Sequence, residues 1–208
     1  MTKETKEMYR QILDFVTAIE YVKVEDMPNI DLYMDQVTTF MEGQLKKTRR
    51  YEDDKILTKT MINNYAKNHL LPAPDSKRYS REHMVMLLFI YYFKNILSIT
   101  DIQSLLQPLS EKYFHQSEGM DMTDVYNEVF SMIHDQRDYF LKDLYRRYQA
   151  ADASFQDFPD DDQEFLKKFS FICLLSFDVY MKKMLVERLI DSLDKEEAPS
   201  GKKNRKKK

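Results

Sequence analysis

The residues best suited to chemistry stand close together in the middle of the chain, between positions 58 and 81. Asn63 and Asn64 can each form two hydrogen bonds with an adenine edge in the major groove of DNA. Lys59 and Lys67 flank Asn63 at a spacing that places all three on one helix face. Because lysines can neutralise phosphates beside the groove, this segment predicts a DNA-reading surface.

Five further residues extend this candidate surface. The cations among them follow the helix in a basic connector and can grip the DNA backbone that flanks the groove. The two tyrosines can donate hydroxyl hydrogen bonds to phosphates, or they can be packing residues with wet hydroxyls, and both interpretations stay open. The five residues are Tyr65, Lys77, Arg78, Tyr79 and Arg81.

Charge is unevenly distributed along the chain, although the net charge of all 208 residues is only -3. The segment from Glu42 to Glu82 holds ten basic and six acidic residues, whereas the segment from Glu118 to Asp194 holds 9 basic and 17 acidic residues. A basic middle beside an acidic half is typical of a nucleic-acid-contacting segment attached to a non-contacting body. Solvated helix faces would give the same distribution.

The sequence offers little for catalysis or metal binding. Its four histidines are scattered, without the i, i+4 pair or the Cys/His cluster that holds a metal. The nearest approach to an acid-base site is His134 with Asp135 and Asp138, which we interpret as a surface polar cluster. We therefore expect no enzyme, no metal and no cofactor.

Cysteine usage and hydropathy indicate the compartment. Cys173 is the only cysteine, so no intramolecular disulfide can form and a cytoplasmic location is expected. The longest nearly apolar run, from Phe169 to Met181, is shorter than the roughly 17 to 25 residues that a membrane span needs. We expect no membrane span.

Hydrophobic periodicity predicts the helices that must position the candidate residues. Thr58, Ser80 and Ser98 are predicted N-caps, because their hydroxyls can accept from free backbone amides. Apolar spacing from Val125 to Leu144 predicts either an antiparallel hairpin within one chain or a dimer seam. The predicted helices run from Glu4 to Val22, Asp31 to about Lys47, Thr58 to Asn68, Ser80 to Leu97, Ser98 to Pro108, Val125 to about Tyr148 and Glu164 to Leu193.

The segment from Leu57 to Leu106 resembles the DNA-reading head of MerR-type regulators. In that pattern a recognition helix ends in a Leu-Leu-Pro stop, an Arg-Tyr pair closes a wing, and a helix with a serine cap follows. The corresponding residues are Asn63-Asn64-Tyr65, Leu70-Leu71-Pro72, Arg78-Tyr79-Ser80 and the run from Leu97 to Leu106. The resemblance implies a winged helix-turn-helix and, as is usual for MerR-like regulators, a dimer.

The whole chain, including the run from Asn29 to Gln36, resembles an uncharacterised bacterial family, the domain-of-unknown-function family numbered 1836. That resemblance implies a fold without an established activity. The chain also departs from the MerR pattern, which usually carries arginine where Asn63 and Asn64 stand. This departure favours an alternative function, a non-enzymatic protein-interaction module on a helix-turn-helix scaffold.

The expected fold is mostly α, with a MerR-like winged helix-turn-helix head packed against an additional helical bundle. We divide the chain into an N-terminal amphipathic helix at 1–30, the helix-turn-helix domain at 31–110, a C-terminal helical region at 111–195 and a disordered basic tail at 196–208. The expected function is that of a DNA-binding transcriptional regulator. Expected partners are DNA, a second copy in a homodimer, and a protein or small-molecule effector.

Overall fold

The computed structural model describes residues 3–116 and 118–197, and within them the chain is mostly α-helical with one pair of very short strands. The expectation of a mostly α fold is confirmed. The α-helices of these residues are α1 (Lys3–Ala18), α2 (Met34–Leu45), α3 (Lys59–Lys67), α4 (Arg81–Phe93), α5 (Ile99–Tyr113), α6 (Met122–Asp135), α7 (Arg137–Asp152) and α8 (Asp160–Glu197). The strands are β1 (Leu32–Tyr33) and β2 (Arg78–Tyr79), and 3-10 turns occupy Val24–Asp26 and Lys46–Thr48.

Helix α4 forms the centre of the main hydrophobic core. Every residue from 83 to 91 is buried, and those from 84 to 90 are all apolar. A helix that is apolar on every side is stable only when other elements surround it. The surrounding residues come from α2, α3, α5 and α6 and from the segment 22–27. The predicted central position of this helix is confirmed, although the helix ends at Phe93 instead of Leu97.

The two strands join the start of α2 to the start of α4. They pair antiparallel, with Leu32 opposite Tyr79 and Tyr33 opposite Arg78. Because the chain is extended there, α2 begins only at Met34, and the predicted start of this helix at Asp31 is wrong. Its first turn is closed by Gln36, whose side-chain oxygen accepts from the backbone N–H of Tyr33 at 2.9 Å.

The three predicted hydroxyl caps are confirmed. Thr58 accepts from the N–H of Met61 at 3.2 Å, and this bond starts α3. Ser98 accepts from the N–H of Asp101 at 3.1 Å at the start of α5. Ser80 caps α4. Each cap satisfies a backbone donor that the first helical turn leaves free.

Other predicted helix boundaries are also wrong. Helix α1 ends at Ala18 instead of Val22. Helix α5 continues through Pro108 to Tyr113. The proline removes one backbone hydrogen bond, but Leu105, Leu106 and Leu109 pack against the main core and hold the helix on both sides of it. The single helix predicted from Val125 to Tyr148 is divided into α6 and α7 at position 136.

Phe130, near the end of α6, joins an aromatic cluster in the main core. The hydroxyl of Tyr126 in this cluster donates to the carbonyl of Val22 at 2.7 Å, which ties α6 to the segment that precedes β1. The rings around Phe130 belong to Tyr21, Phe89, Tyr92 and Tyr126, with centroids between 4.2 and 5.9 Å from its own.

A second, smaller core lies between α1, α7 and α8. The ring of Tyr9 stacks on Tyr148 at 4.5 Å, and the Arg147 guanidinium links α7 to α8 through Asp178 at 3.1 Å. Of the two arrangements predicted for the α7 segment, the structure contains the hairpin within one chain. The buried members of this core are Leu144, Tyr148, Ala151 and Phe171.

The nearly apolar run from Phe169 to Met181 lies inside α8. Among the helices of residues 3–116 and 118–197, none has the length and apolar character needed to cross a membrane. The basic tail predicted for 196–208 lies, beyond residue 197, outside the described residues.

Candidate nucleic-acid interface

Helix α3 and its C-cap residue present one continuous polar face. Successive helical residues are rotated by about 100° around the axis, so positions 59, 60, 63, 64, 67 and 68 together cover about half of the helix circumference. All six are exposed, whereas Ile62 and Tyr65 on the other half are buried. The exposed half contains no acidic residue. Its members, hereafter the α3 face, are Lys59, Thr60, Asn63, Asn64, Lys67 and Asn68.

Backbone hydrogen bonds close the C-terminal end of α3. The N–H of His69 donates to the carbonyl of Ala66 at 3.2 Å, and the N–H of Leu70 donates to that of Tyr65 at 2.9 Å. This pair of bonds is a Schellman motif, which places His69 in the left-handed region at φ +57°. Glycine is the usual residue there because it has no Cβ to clash.

A tight hairpin turn between positions 75 and 78 carries two of the predicted cations. The N–H of Arg78 donates to the carbonyl of Asp75 at 2.8 Å. Between them, Ser76 and Lys77 have φ values of +49° and +64°, as a two-residue type I′ turn requires. Lys77 and Arg78 are both exposed at this turn.

The two predicted tyrosines lie in the main core. Tyr65 is 8% exposed and Tyr79 is 3% exposed, and burial raises the pKa of both hydroxyls. The ring of Tyr79 meets His83 edge to face at 5.5 Å between centroids. Of the two interpretations that the sequence leaves open, this burial favours packing for both residues.

Arg81 is partly buried and directed inward. Its guanidinium donates to the carbonyl of Met27 at 3.4 Å, and its Nε is buried without a hydrogen-bond partner in the described part of the chain. Arg81 therefore holds the segment before β1 against the start of α4. It does not share the exposed surface of Lys77 and Arg78.

His83 is a structural residue that the sequence analysis missed. Its ring is 1% exposed, and Nδ1 accepts from the backbone N–H of Ser80 at 3.0 Å, completing a capping box. Desolvation lowers the pKa of His83 to about 4, partly opposed by the backbone carbonyl of Ala73. The spacing of Ser80 and His83 is the signal that could have identified this box.

A carboxylate beside His83 links α4 to the end of α5. Glu82 accepts from the backbone N–H of His115 at 3.0 Å and from its ring Nδ1 at 3.1 Å. Burial raises the pKa of Glu82, whereas the hydrogen bond from the backbone N–H of His115 and the electrostatic attraction of its ring oppose that increase. Glu82 is thus engaged within the protein.

One acidic residue borders the α3 face. Asp35, in the first turn of α2, forms an ion pair with Lys59 in the first turn of α3. Both side chains are mostly exposed, and exposed ion pairs contribute little to stability because water screens them. Lys59 can therefore exchange this carboxylate for another anion at small cost.

The predicted polar cluster of His134, Asp135 and Asp138 is exposed at the junction of α6 and α7. A groove of about 880 Å³, open to solvent, lies elsewhere, between α7 and α8, and its lining includes Arg147, Cys173 and Phe177. Within residues 3–116 and 118–197, no group of three or more histidine, cysteine or acidic side chains could hold a metal ion.

Comparison with known proteins gives one match. A family model described as "Domain of unknown function (DUF1836)" matches residues 22–129. No curated protein matches the chain, and no solved structure matches it. The matched segment begins before β1, includes α2 to α5 and the α3 face, and ends inside α6.

Proposed function

The chain belongs to the domain-of-unknown-function family DUF1836, and from its geometry we propose a DNA-binding transcriptional regulator with a MerR-like winged helix-turn-helix head. The observation that carries this proposal is the α3 face, which is exposed, polar and free of acidic side chains. Such a face suits a polyanion that must be approached closely and read through hydrogen bonds.

The dimensions of α3 suit a groove. An α-helix with its side chains is about 10 to 12 Å in diameter, and the major groove of B-DNA, about 12 Å wide, admits it. In this arrangement Asn63 and Asn64 read adenine edges, and Lys59 and Lys67 neutralise phosphates on either side. The ion pair of Lys59 with Asp35 opens when a phosphate replaces the carboxylate.

The hairpin turn supplies the wing of the proposed head. Lys77 and Arg78 are exposed at the turn, and Arg78 belongs to β2, which pairs with β1 at the start of α2. The wing is therefore tied by backbone hydrogen bonds to the helix that precedes α3. We assign Lys77 and Arg78 to the flanking phosphates and give Tyr65, Tyr79 and Arg81 the structural roles described above.

The proposal is tested by fluorescence anisotropy with DNA from the chain's own promoter region, measured over a series of salt concentrations. We expect Lys67→Ala to weaken binding to all sequences and to reduce the slope of log K against log salt by about one. Asn63→Ala should instead reduce discrimination between cognate and altered sites. A matched control is Lys142→Ala, which removes an exposed lysine of α7. Absence of DNA binding at low ionic strength would contradict the proposal.

A second candidate is a protein-interaction module on the same scaffold. Asp35 favours it, because a carboxylate beside the α3 face lowers the positive potential that DNA requires and suits a protein partner with mixed charge. Crosslinking in cells distinguishes the two functions. Recovery of one dominant protein and no DNA favours the interaction module, whereas a footprint on DNA counts against it.

A further inference from the structure

Thr60 lies at the centre of the α3 face. It belongs to the first turn of α3 and is exposed. In helix-turn-helix proteins the N-terminal residues of the recognition helix contact the base edges, so Thr60 is the residue of α3 best placed to reach the floor of a groove. A rotation of about 100° per residue places the members of the α3 face in three pairs, which are Thr60 with Lys67 at the middle, Asn63 with Asn64 about 50° to either side, and Lys59 with Asn68 at the two edges.

The side chains around the middle of the face match an A·T base pair. In the major groove adenine presents an acceptor at N7 and a donor at N6, and the amide group of one asparagine side chain can bond to both. Thymine presents its C5 methyl group, against which the methyl group of a threonine can pack. Thr60, Asn63 and Asn64 therefore offer contacts to both bases of this pair.

The same face is poorly suited to a G·C base pair. Guanine presents two acceptors, O6 and N7, and arginine or lysine usually contacts both. Helix α3 contains no arginine, and its two lysines are its first and last residues, which the proposed arrangement assigns to phosphates. Cytosine presents a donor at N4, which a carboxylate would accept, and the α3 face has no acidic residue. An asparagine opposite guanine would direct its carbonyl oxygen at an acceptor and lose a hydrogen bond.

Asn68, at one edge of the face, is already engaged within the protein. Its amide nitrogen donates to the backbone carbonyl of Asn64 at 2.9 Å, one turn earlier. This bond holds the side chain against the end of α3, so Thr60, Asn63 and Asn64 remain as the base-contacting residues. Positions 60 to 64 extend over about 6 Å along the helix axis, and base pairs are stacked about 3.4 Å apart. The contacted segment is therefore about two or three consecutive base pairs.

We propose that the α3 face recognises a short run of A·T base pairs through the major groove and that Thr60 is a specificity-determining residue of this site. The methyl group of Thr60 packs against a thymine methyl group, while Asn63 and Asn64 bind neighbouring adenines. This inference rests on the proposed DNA binding, to which it adds the class of DNA sequence and the residue at the centre of the face. The lysines contribute affinity for any sequence, so the discrimination comes from these three short side chains.

Three duplexes of equal length test the class of sequence with the full chain. They share their flanking sequences and differ in a central block of mixed order, made of A·T pairs, of G·C pairs or of inosine·cytosine pairs. Inosine lacks the N2 amino group of guanine, so its pair resembles A·T in the minor groove and G·C in the major groove. Fluorescence anisotropy should show binding to the A·T duplex that is at least about tenfold tighter than binding to either of the others.

Each other outcome of this measurement contradicts a specific part of the proposal. Equal affinity for the A·T and inosine·cytosine duplexes would overturn it, because the protein would then read the minor groove or its shape. Equal affinity for all three duplexes would also overturn it, but would leave the proposed DNA binding intact. Absence of binding to all three at low ionic strength would overturn the proposed DNA binding together with this inference.

Replacing thymine by uracil in the A·T duplex tests Thr60, because uracil lacks only the C5 methyl group. The wild-type chain should lose about fourfold in affinity, the value expected for one buried methyl group. Thr60→Ser keeps the hydroxyl group without the methyl group, so it should bind the thymine and uracil duplexes with equal affinity. The matched control is Thr17→Ser, at an exposed threonine of α1, which should show the full wild-type loss. Equal losses in the wild type and in Thr60→Ser, or no loss in the wild type, would overturn the role of Thr60.

Discussion

The region 22–129 and the region 137–197 differ in how far they bury their apolar side chains. In the first, apolar side chains converge on α4, and α3 turns a polar face outward. In the second, a small core joins α1, α7 and α8, while much of the apolar surface of α8 stays exposed. The difference teaches that an apolar composition alone does not define a core. The first region buries most of its apolar side chains around α4, whereas the second leaves many apolar side chains of α8 exposed.

The two regions also differ in how their helices are stabilised. Capping boxes close the first turns of α2, α4, α5 and α6. Helix α7 starts without a side-chain cap, and α8 carries ion pairs one turn apart, such as Lys182 with Asp178. Such exposed pairs add only a few tenths of a kcal/mol each. The helices of the second region therefore depend more on tertiary packing.

A leucine-to-alanine substitution made in each region tests this comparison. Leu87→Ala removes a side chain with no exposure and should lower the free energy of unfolding by roughly 3 to 5 kcal/mol at every protein concentration. Leu189→Ala removes an exposed side chain and should change the free energy of unfolding by no more than about 0.5 kcal/mol. Urea unfolding measures both changes, and equal losses would contradict the difference between the two regions.

Acid should destabilise the first region through His83. Its pKa in the folded chain is about 4, below the usual 6.5, so the unfolded chain binds the proton more readily between these values. The contribution to stability is fully present above pH 6.5 and is lost as pH falls to 4, by about 3 kcal/mol in total. Urea unfolding over this range should show a steeper pH dependence for the wild type than for His83→Gln. The exposed His134→Gln is the control, and identical profiles for all three proteins would refute the assignment.

The smallest expected effect concerns the end of α3. His69→Gly should raise the free energy of unfolding by about 0.5 to 1 kcal/mol, because His69 has φ +57°, a conformation that glycine adopts without strain. Ala66→Gly, three residues earlier in the last turn of α3, should lower it by about 0.5 to 1 kcal/mol. Thermal unfolding measures both changes. A loss of stability in His69→Gly would mean that its side chain makes a contact that outweighs the strain.

Local chemistry made part of the fold predictable from the sequence. The cap at Thr58 and the end of α3 depend on residues within one helical turn, and both agree with the structure. The outward positions of Asn63 and Asn64 follow from helical periodicity alone. The same reasoning identifies α4 as the central helix, because its apolar residues leave no polar side.

The errors in the predicted fold arise where contacts between residues distant in sequence determine the structure. Helix α5 passes Pro108 because leucines on both sides pack on the main core, a contact that no local rule contains. Tyr79 is buried because β2 pairs with β1, whose partner residue Leu32 is far away in sequence. The exposure of α8 could not be predicted either, since its apolar spacing resembles that of a buried helix.

The aromatic cluster around Phe130 extends beyond the segment that matches the family. The segment that matches the family stops at Val129, in the middle of α6. A chain cut there would lose Phe130, whose ring stacks on Tyr126 at 4.2 Å, and would leave Tyr21 without its neighbour. A fragment that keeps this aromatic packing and the whole of α6 runs from Tyr21 to Asp135, so it extends beyond the segment that matches the family at both ends.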